Sequence, residues 1–385
     1  MDQSNLDGGA SYVNAGYISP SHFVPLSAPG VVKKGLQWMF DPSSPFYVKP
    51  RMETEFLRWA WAFNKSCNPR HVQRSAPVIR DISLLSRDLY DEMHGMEGFD
   101  FHYEKKGLLM LCQTEKMLDK EIQLAREAAT IGLQAETIDR EGLKKLEPEV
   151  LIDAVGATLY PCDYHTTPGE LMENMKAWLL ANGVQFHTGE EVIDLTLQKD
   201  RIASVRTNKG ILEADEFVLA AGSWTSLLSR KIGLRILLQA GKGYRINTFR
   251  PTGIRYPAIL VEAKAAVTPM NGFTRFAGTM EIAGISTEVN KVRVEAIARA
   301  ANRYYPDVQL SEEERAAASS GMRPLSPDGL PYIGRSEKCT NLTIATGHAM
   351  MGWTMATGTG QLVNEIVSGK PPSMDIAPFH PDRKF

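Results

Sequence analysis

The chain has 385 residues, 43% of them hydrophobic and 23% charged, with a formal net charge of -2. That length suits two domains of ordinary size better than one, and the composition is that of a folded globular protein. A charge so near zero does not favour nucleic acid or another strongly charged polymer, so a small-molecule role is expected.

The opening residues, Met1 to Gly16, have neither a basic start nor an apolar core, so no secretory signal is read there. No stretch approaches about 18 apolar residues, the length of a membrane-crossing helix. A cytoplasmic location is expected, either free or peripheral on the inner face of the cell membrane. An apolar segment broken by prolines runs from Phe23, Val24, Pro25 and Leu26 to Leu36, Trp38, Met39 and Phe40. It is read as core packing, with contact to a membrane surface as the alternative. The cysteines Cys67, Cys112, Cys162 and Cys339 form no Cys-x-x-Cys pair and are expected to be free thiols. The histidines show no metal-ligand spacing, so no metal is expected.

Residues 51–130 read as mainly helical. Leu118, Ile122, Ala125 and Ala129 recur at helical spacing behind Thr114, and Gly132 supplies a stop. Thr167-Pro168-Gly169-Glu170 has the form of a capping box with proline at the first helical position. Leu171, Met175, Trp178 and Leu179 then line one face, and Asn182-Gly183 ends the helix. Strands are predicted at Val184–His187, Glu191–Leu197 and Arg201–Thr207, the last leading to a turn at Asn208-Lys209-Gly210. The run Phe217 to Gly222 predicts a strand buried on both faces, as in a parallel sheet.

Further strands are predicted at Gly243–Thr248, Ala258–Glu262 and Phe273–Met280. A helix over 293–303 is closed by Tyr304-Tyr305-Pro306. The last unit is a strand at Asn341–Thr346, a turn at Gly347-His348 and a helix at Trp353–Val367, stopped by Gly369-Lys370-Pro371-Pro372. The fold class is therefore α/β, with helix-and-sheet portions from separated parts of the chain and a strand-rich insertion between them.

The final strand-turn-helix carries the best chemical signal. From Thr346-Gly347-His348 to Gly352-Trp353-Thr354, small residues and free amides meet a helix N-terminus, where unpaired N–H groups and the helix dipole favour an anion. An ordinary glycine-containing turn is the alternative.

The segment from Gly321-Met322-Arg323-Pro324 through Ser326-Pro327-Asp328-Gly329 to Ile333-Gly334 resembles a signature of the FAD-dependent D-amino-acid oxidase and dehydrogenase superfamily. Gly347-His348 and Gly352-Trp353-Thr354-Met355-Ala356 follow at that family's distance. Asn14-Ala15-Gly16-Tyr17-Ile18-Ser19-Pro20, Ala28-Pro29-Gly30-Val31 and Gly241-Lys242-Gly243-Tyr244 are similar to the D-amino-acid dehydrogenase branch, of the small-subunit type. The similarity runs from end to end.

The resemblance implies a Rossmann-like FAD domain, residues 1–45, 160–232 and 320–385, interleaved with a substrate domain of mixed or antiparallel sheet and helices, residues 46–159 and 233–319. It implies oxidative deamination of a small D-amino acid by hydride transfer from Cα to flavin N5, with electrons passing to a quinone or other carrier. D-hydroxyproline dehydrogenase and glycine or sarcosine oxidase chemistry are the alternatives within the class. Arg323 matches the arginine that anchors the substrate carboxylate, which suits a guanidinium fork; a structural ion pair is the alternative. Tyr244 and His348 line the substrate pocket on this reading or are buried structural groups. Ser11, Asn14, Ala15 and Gly16 match the loop beside the flavin. Val192 matches a position whose backbone meets the adenine. Ala221, Gly222 and Trp224 match the flavin-side turn, and Gly347, Gly352, Trp353 and Thr354 the anion-binding turn.

No G-x-G-x-x-G occurs; Gly241-x-Gly243 and Gly358-x-Gly360 each lack the third glycine. Asp2 stands where the family's ribose-binding acidic residue ends the second strand. The expectation is a truncated reading frame lacking about 30 residues, one βα unit plus a strand. A flavin-free remnant acting as a binding protein is the alternative from another class.

Overall fold

The computed structural model describes residues 1–38 and 44–385. Met39 and Phe40, at the end of the apolar segment, lie outside the described residues, as does part of the expected 1–45 unit. Earlier in that segment Phe23 is buried against Ala76, Ala128, Leu133 and Tyr160, while the adjoining Val24 is exposed.

A nine-stranded mixed sheet organises the molecule. Its edge strand Ser319–Leu325 pairs antiparallel with Gln239–Thr248, and that strand pairs with Phe273–Ile282. Ala265–Met270 and Ala258–Leu260 follow, then Leu108–Cys112, parallel to Ala258–Leu260, then Gly156–Tyr160 and Glu136–Asp139. The helix Lys291–Tyr304 covers one face, burying Val294, Ile297 and Ala301 against Tyr244, Ile246 and Phe276. The strand carrying Arg323 belongs to this sheet, so the boundary expected at residue 320 falls inside a strand paired with the 233–319 segment.

Three smaller sheets flank it. Val192–Gln198, Arg201–Thr207 and Ile211–Leu212 form an antiparallel meander. Phe217–Leu219 runs parallel to Cys339–Thr346, which pairs antiparallel with Tyr332–Ser336. Tyr17–Ile18, Tyr164–Thr166 and Tyr103–Glu104 form the third.

Several local expectations change. The parallel pairing of Phe217–Leu219 is present, but Val218 is 47% exposed because one face of the strand opens onto a cavity. The Thr167 hydroxyl caps nothing; it meets His102 Nδ1 at 3.0 Å and accepts from the Asn271 amide, while the Glu170 carboxylate accepts from the His102 amide and Asn271 Nδ2. Tertiary partners replace the box. Trp178 is 38% exposed and packs beside Phe99 rather than in the core. Val184–His187 joins no ladder, although the His187 carbonyl accepts from the Asp2 amide at 2.9 Å. Helix Glu115–Thr130 starts at the expected Thr114 cap, but its buried residues are Glu121 and Ala128, and Ala129 is exposed. Two short strands, Tyr103–Glu104 and Leu108–Cys112, interrupt the region read as helical. The last helix begins at Ala356, leaving residues 352–355 as a turn. All four cysteines are free.

The turn after the Arg323 strand is closed from the far end of the chain. Arg383 donates Nε to Asp328 Oδ2 at 2.8 Å and Nη2 to Oδ1 at 2.9 Å, and also reaches the Leu330 and Pro331 carbonyls. The pair is largely buried, at 12% and 8% side-chain exposure. Removing one partner of a buried, fully bonded pair strands the other charge. Arg383→Ala should therefore lower the unfolding free energy by about 3 kcal/mol in urea titration.

Candidate functional site

Strand alternation decides what faces the cavity. On Gln239–Thr248, Gly241 and Gly243 share one face and Lys242 and Tyr244 the other. Cross-strand partners lie on the same face: Arg323 opposite Gly241, Gly321 opposite Gly243, Ala266 opposite Ala277, and Met110 opposite Ile259. One face of the sheet thus presents Arg323 among glycines and alanines. All of them but Gly241 line a cavity of about 2430 Å³ that extends to Asp2, Val192, Trp224 and Trp353. Ordinary small-molecule pockets span about 300–1,000 Å³, so there is room for a dinucleotide and a substrate together.

Arg323 is partly buried in the cavity wall, and the loss of water around it pulls its pKa down to about 10. Its Nη1 donates to the Thr279 carbonyl at 3.0 Å, and no carboxylate among the described residues pairs with it. The guanidinium lies over Gly243, where any Cβ would overlap it. Most of its donors are left for a ligand.

Around the cavity the segment 10–17 is held by polar contacts. Asn14 Oδ1 accepts from the Gly16 amide at 2.7 Å, and its carbonyl accepts from Arg275 Nη1 at 2.7 Å. The Ala15 carbonyl accepts from the Thr268 hydroxyl. On the opposite wall, Thr354 Oγ1 donates to the Tyr17 carbonyl at 3.0 Å, and Trp353 Nε1 donates to Thr166 Oγ1 at 2.9 Å. The Gly352, Trp353 and Thr354 amides have no acceptor among the described residues. Unpaired amides just before a helix suit an anionic or electron-rich group. A cavity this long, with such donors and a small-residue sheet face, fits FAD.

Of the residues singled out from sequence, Arg323, His348, Asp2, Ser11, Asn14, Ala15, Val192, Ala221, Gly222, Trp224, Gly352, Trp353 and Thr354 line this cavity. Gly16 and Gly347 are not among the lining residues. Gly347 shapes its turn: φ is 83°, and a Cβ there would lie 2.8 Å from the Tyr332 ring. Tyr244 touches the cavity, but its side chain lies on the sheet face away from Arg323, within the core, and its hydroxyl donates to Glu281 Oε2 at 2.8 Å. Asp2 Oδ1 accepts from the Ser4 amide and hydroxyl. His348 Nε2 meets Thr359 Oγ1 at 2.9 Å, and burial lowers the imidazole to about 4, so it is neutral. Sequence reading missed Thr279, Ala277 and Ala266, which the alternation of Phe273–Ile282 and Ala265–Met270 brings to the Arg323 face.

The family model for FAD dependent oxidoreductase, DAO, matches residues 1–366. The architecture and site are of the flavoenzyme class, and the chain belongs to the DAO family of FAD-dependent oxidoreductases. A D-amino acid dehydrogenase of Granulibacter bethesdensis is 30% identical over 373 residues, covering 95% of this chain and 88% of that protein. One of Rhizobium rhizogenes is 29% identical over 374 residues, covering 95% and 89%. Among solved structures, glycine oxidase from Geobacillus kaustophilus has a TM-score of 0.78 at 22% identity, covering 100% of this chain and 91% of that one. L-proline dehydrogenase from P. horikoshii has a TM-score of 0.69 at 21% identity, covering 79% and 82%. These structural likenesses carry the fold.

The His348 environment sets a pH dependence. Its folded pKa, about 4, lies below the ordinary 6.5, so the unfolded chain binds the proton first. The stability from this group is whole above about pH 6.5 and is lost as pH falls towards 4. His348→Gln does not titrate, so its urea midpoint should fall less than the parent's between those pH values.

Proposed function

We propose that this protein is an FAD-dependent dehydrogenase that oxidatively deaminates a small D-amino acid and hands the electrons to a quinone or another carrier. The observation that carries the proposal is Arg323: a partly buried guanidinium in the cavity, one carbonyl contact, and no carboxylate paired with it among the described residues. A buried cation without a counter-charge is costly, and a substrate carboxylate relieves that cost by bidentate pairing.

Asp2, Val192, Ser11 to Ala15, Ala221 to Trp224 and Gly352 to Thr354 line the cavity and would hold FAD, with Gly16 and Gly347 shaping the turns beside it. Bound FAD supplies the two-electron acceptor. The chain's own residues then fix and shield the amino acid. Arg323 holds its carboxylate, and Ala266 and Ala277 keep the neighbouring sheet face low with small side chains. Neutral His348 does not compete with Arg323 for the carboxylate. Oxidation of a neutral amine needs no strong side-chain base, and the imino acid formed is hydrolysed by water. On this reading residues 1–45, 160–232 and 320–385 form the cofactor side, except that the Arg323 strand joins the sheet of the substrate side, 46–159 and 233–319.

The choice of carrier over oxygen rests on the similarity to D-amino acid dehydrogenases. A peripheral membrane contact would bring a quinone within reach; Met52 and Trp61, 89% and 63% exposed, support such a face. No helix among the described residues is long and apolar enough to cross a membrane.

The test is a panel of small D-amino and imino acids, followed by dye reduction and by oxygen consumption, on protein whose visible spectrum shows flavin bands. Dye reduction without oxygen uptake is the expected result; oxygen uptake would replace the dehydrogenase with an oxidase. Arg323→Ala should raise KM for the best substrate by about 100-fold, the loss of one partner of a buried charge pair. An unchanged KM would remove Arg323 from the anchoring role.

A further inference from the structure

Among the described residues five non-glycines have left-handed backbone, and Thr279 is the only β-branched one, with φ of 59°. That is a costly conformation for such a side chain. Thr279 carries a second cost. Its residue is 8% exposed, and its hydroxyl is buried without a hydrogen-bond partner.

Both costs fall at a bulge beside the cavity. Tyr244 pairs with Gly278, but Lys242 pairs with Glu281, so Thr279 and Met280 together face the single residue Gly243. The bulge turns the Thr279 carbonyl onto Arg323 Nη1 at 3.0 Å. Gly243, on the neighbouring strand, keeps the space over it clear for the guanidinium. The guanidinium is thus seated between a missing Cβ and a carbonyl held in a strained turn. Glycine would take the same φ at no steric cost, but would also let the bulge relax into other conformations. Bulges next to active sites commonly re-aim a group in this way.

We propose that Thr279 is a positioning residue for Arg323: its strained bulge fixes the guanidinium fork in the orientation that receives the substrate carboxylate. This rests on Arg323 being the carboxylate anchor. Stability is given up at Thr279 and recovered as preorganisation of Arg323. A residue of purely structural value would not show these two effects with opposite signs.

The experiment compares the full-length parent, Thr279→Gly, Lys199→Gly and Arg323→Ala, each supplied with FAD. Lys199 is another left-handed residue, φ 56°, in a hairpin between Leu197 and Arg201 that is remote from Arg323. The readouts are the thermal midpoint without ligand and the dissociation constant for benzoate, a plain carboxylate, by calorimetry. Thr279→Gly should raise the midpoint by a few degrees, as relief of strain does, yet bind benzoate at least about fivefold more weakly. Lys199→Gly should raise the midpoint without weakening benzoate, and Arg323→Ala should abolish binding. If Arg323→Ala loses benzoate while Thr279→Gly keeps parental affinity, or if Thr279→Gly melts lower, the positioning inference is overturned and the anchor stands. If benzoate fails to bind the parent, or binds Arg323→Ala as well, the anchoring reading fails and this inference with it.

Discussion

A guanidinium partly withdrawn from water, with no carboxylate paired to it among the described residues, is an expensive feature for a fold to hold. Much of this structure is arranged around Arg323 in that state. The strand beside it carries glycine where a Cβ would overlap the guanidinium, and the strand beyond that bulges to offer a carbonyl. The charge is not diluted nearby. Arg275, on the same sheet, is pulled down to about 9 by burial and by the neighbouring Arg245. Arg245 and Arg275 share this face of the sheet with Arg323, and like charges so placed favour an anion between them.

The second requirement is that two distant stretches of chain present their surfaces to one another at a fixed spacing. The hydroxyl of Tyr17 bridges the Ala258 and Val267 carbonyls, at 2.9 and 2.7 Å, pinning the N-terminal loop to the sheet. Thr354 then ties the C-terminal turn to the Tyr17 carbonyl, and Tyr90 donates to the Trp353 carbonyl at 2.7 Å. These bonds use backbone carbonyls, which the sequence does not advertise, and side chains hundreds of residues apart.

That division explains what could be read in advance. Strand Arg201–Thr207 announces itself by β-branched and alternating residues. Gly243–Thr248 gives the second half of strand Gln239–Thr248, while its glycine-rich first half was not legible. Asn182-Gly183 ends its helix as glycine in a left-handed turn should. Arg323 was legible through its surrounding motif and through the chemistry of guanidinium and carboxylate. The register between strands was not legible, so neither were Thr279 and Ala277, which reach the cavity only because Phe273–Ile282 pairs as it does. Ala265–Met270 was missed because Pro269 argues against a strand. Thr167 and Glu170 have the letters of a capping box, but His102 and Asn271 claim their side chains. Glu121 was missed because a carboxylate is not expected on the inner face of a helix, yet it is 7% exposed there.

The topology of the large sheet also governs when this surface comes into being. Leu108–Cys112 lies parallel to Ala258–Leu260, and Ser319–Leu325 completes the edge beside Gln239–Thr248. Pairings so distant in sequence pay the entropy of closing long loops before they return any contact energy, and such topologies fold slowly. During synthesis the earlier strands wait with open edges for partners that have not yet left the ribosome. The cavity face is therefore among the last surfaces to be assembled, and until then the nascent chain exposes strand edges prone to pair with the wrong neighbour.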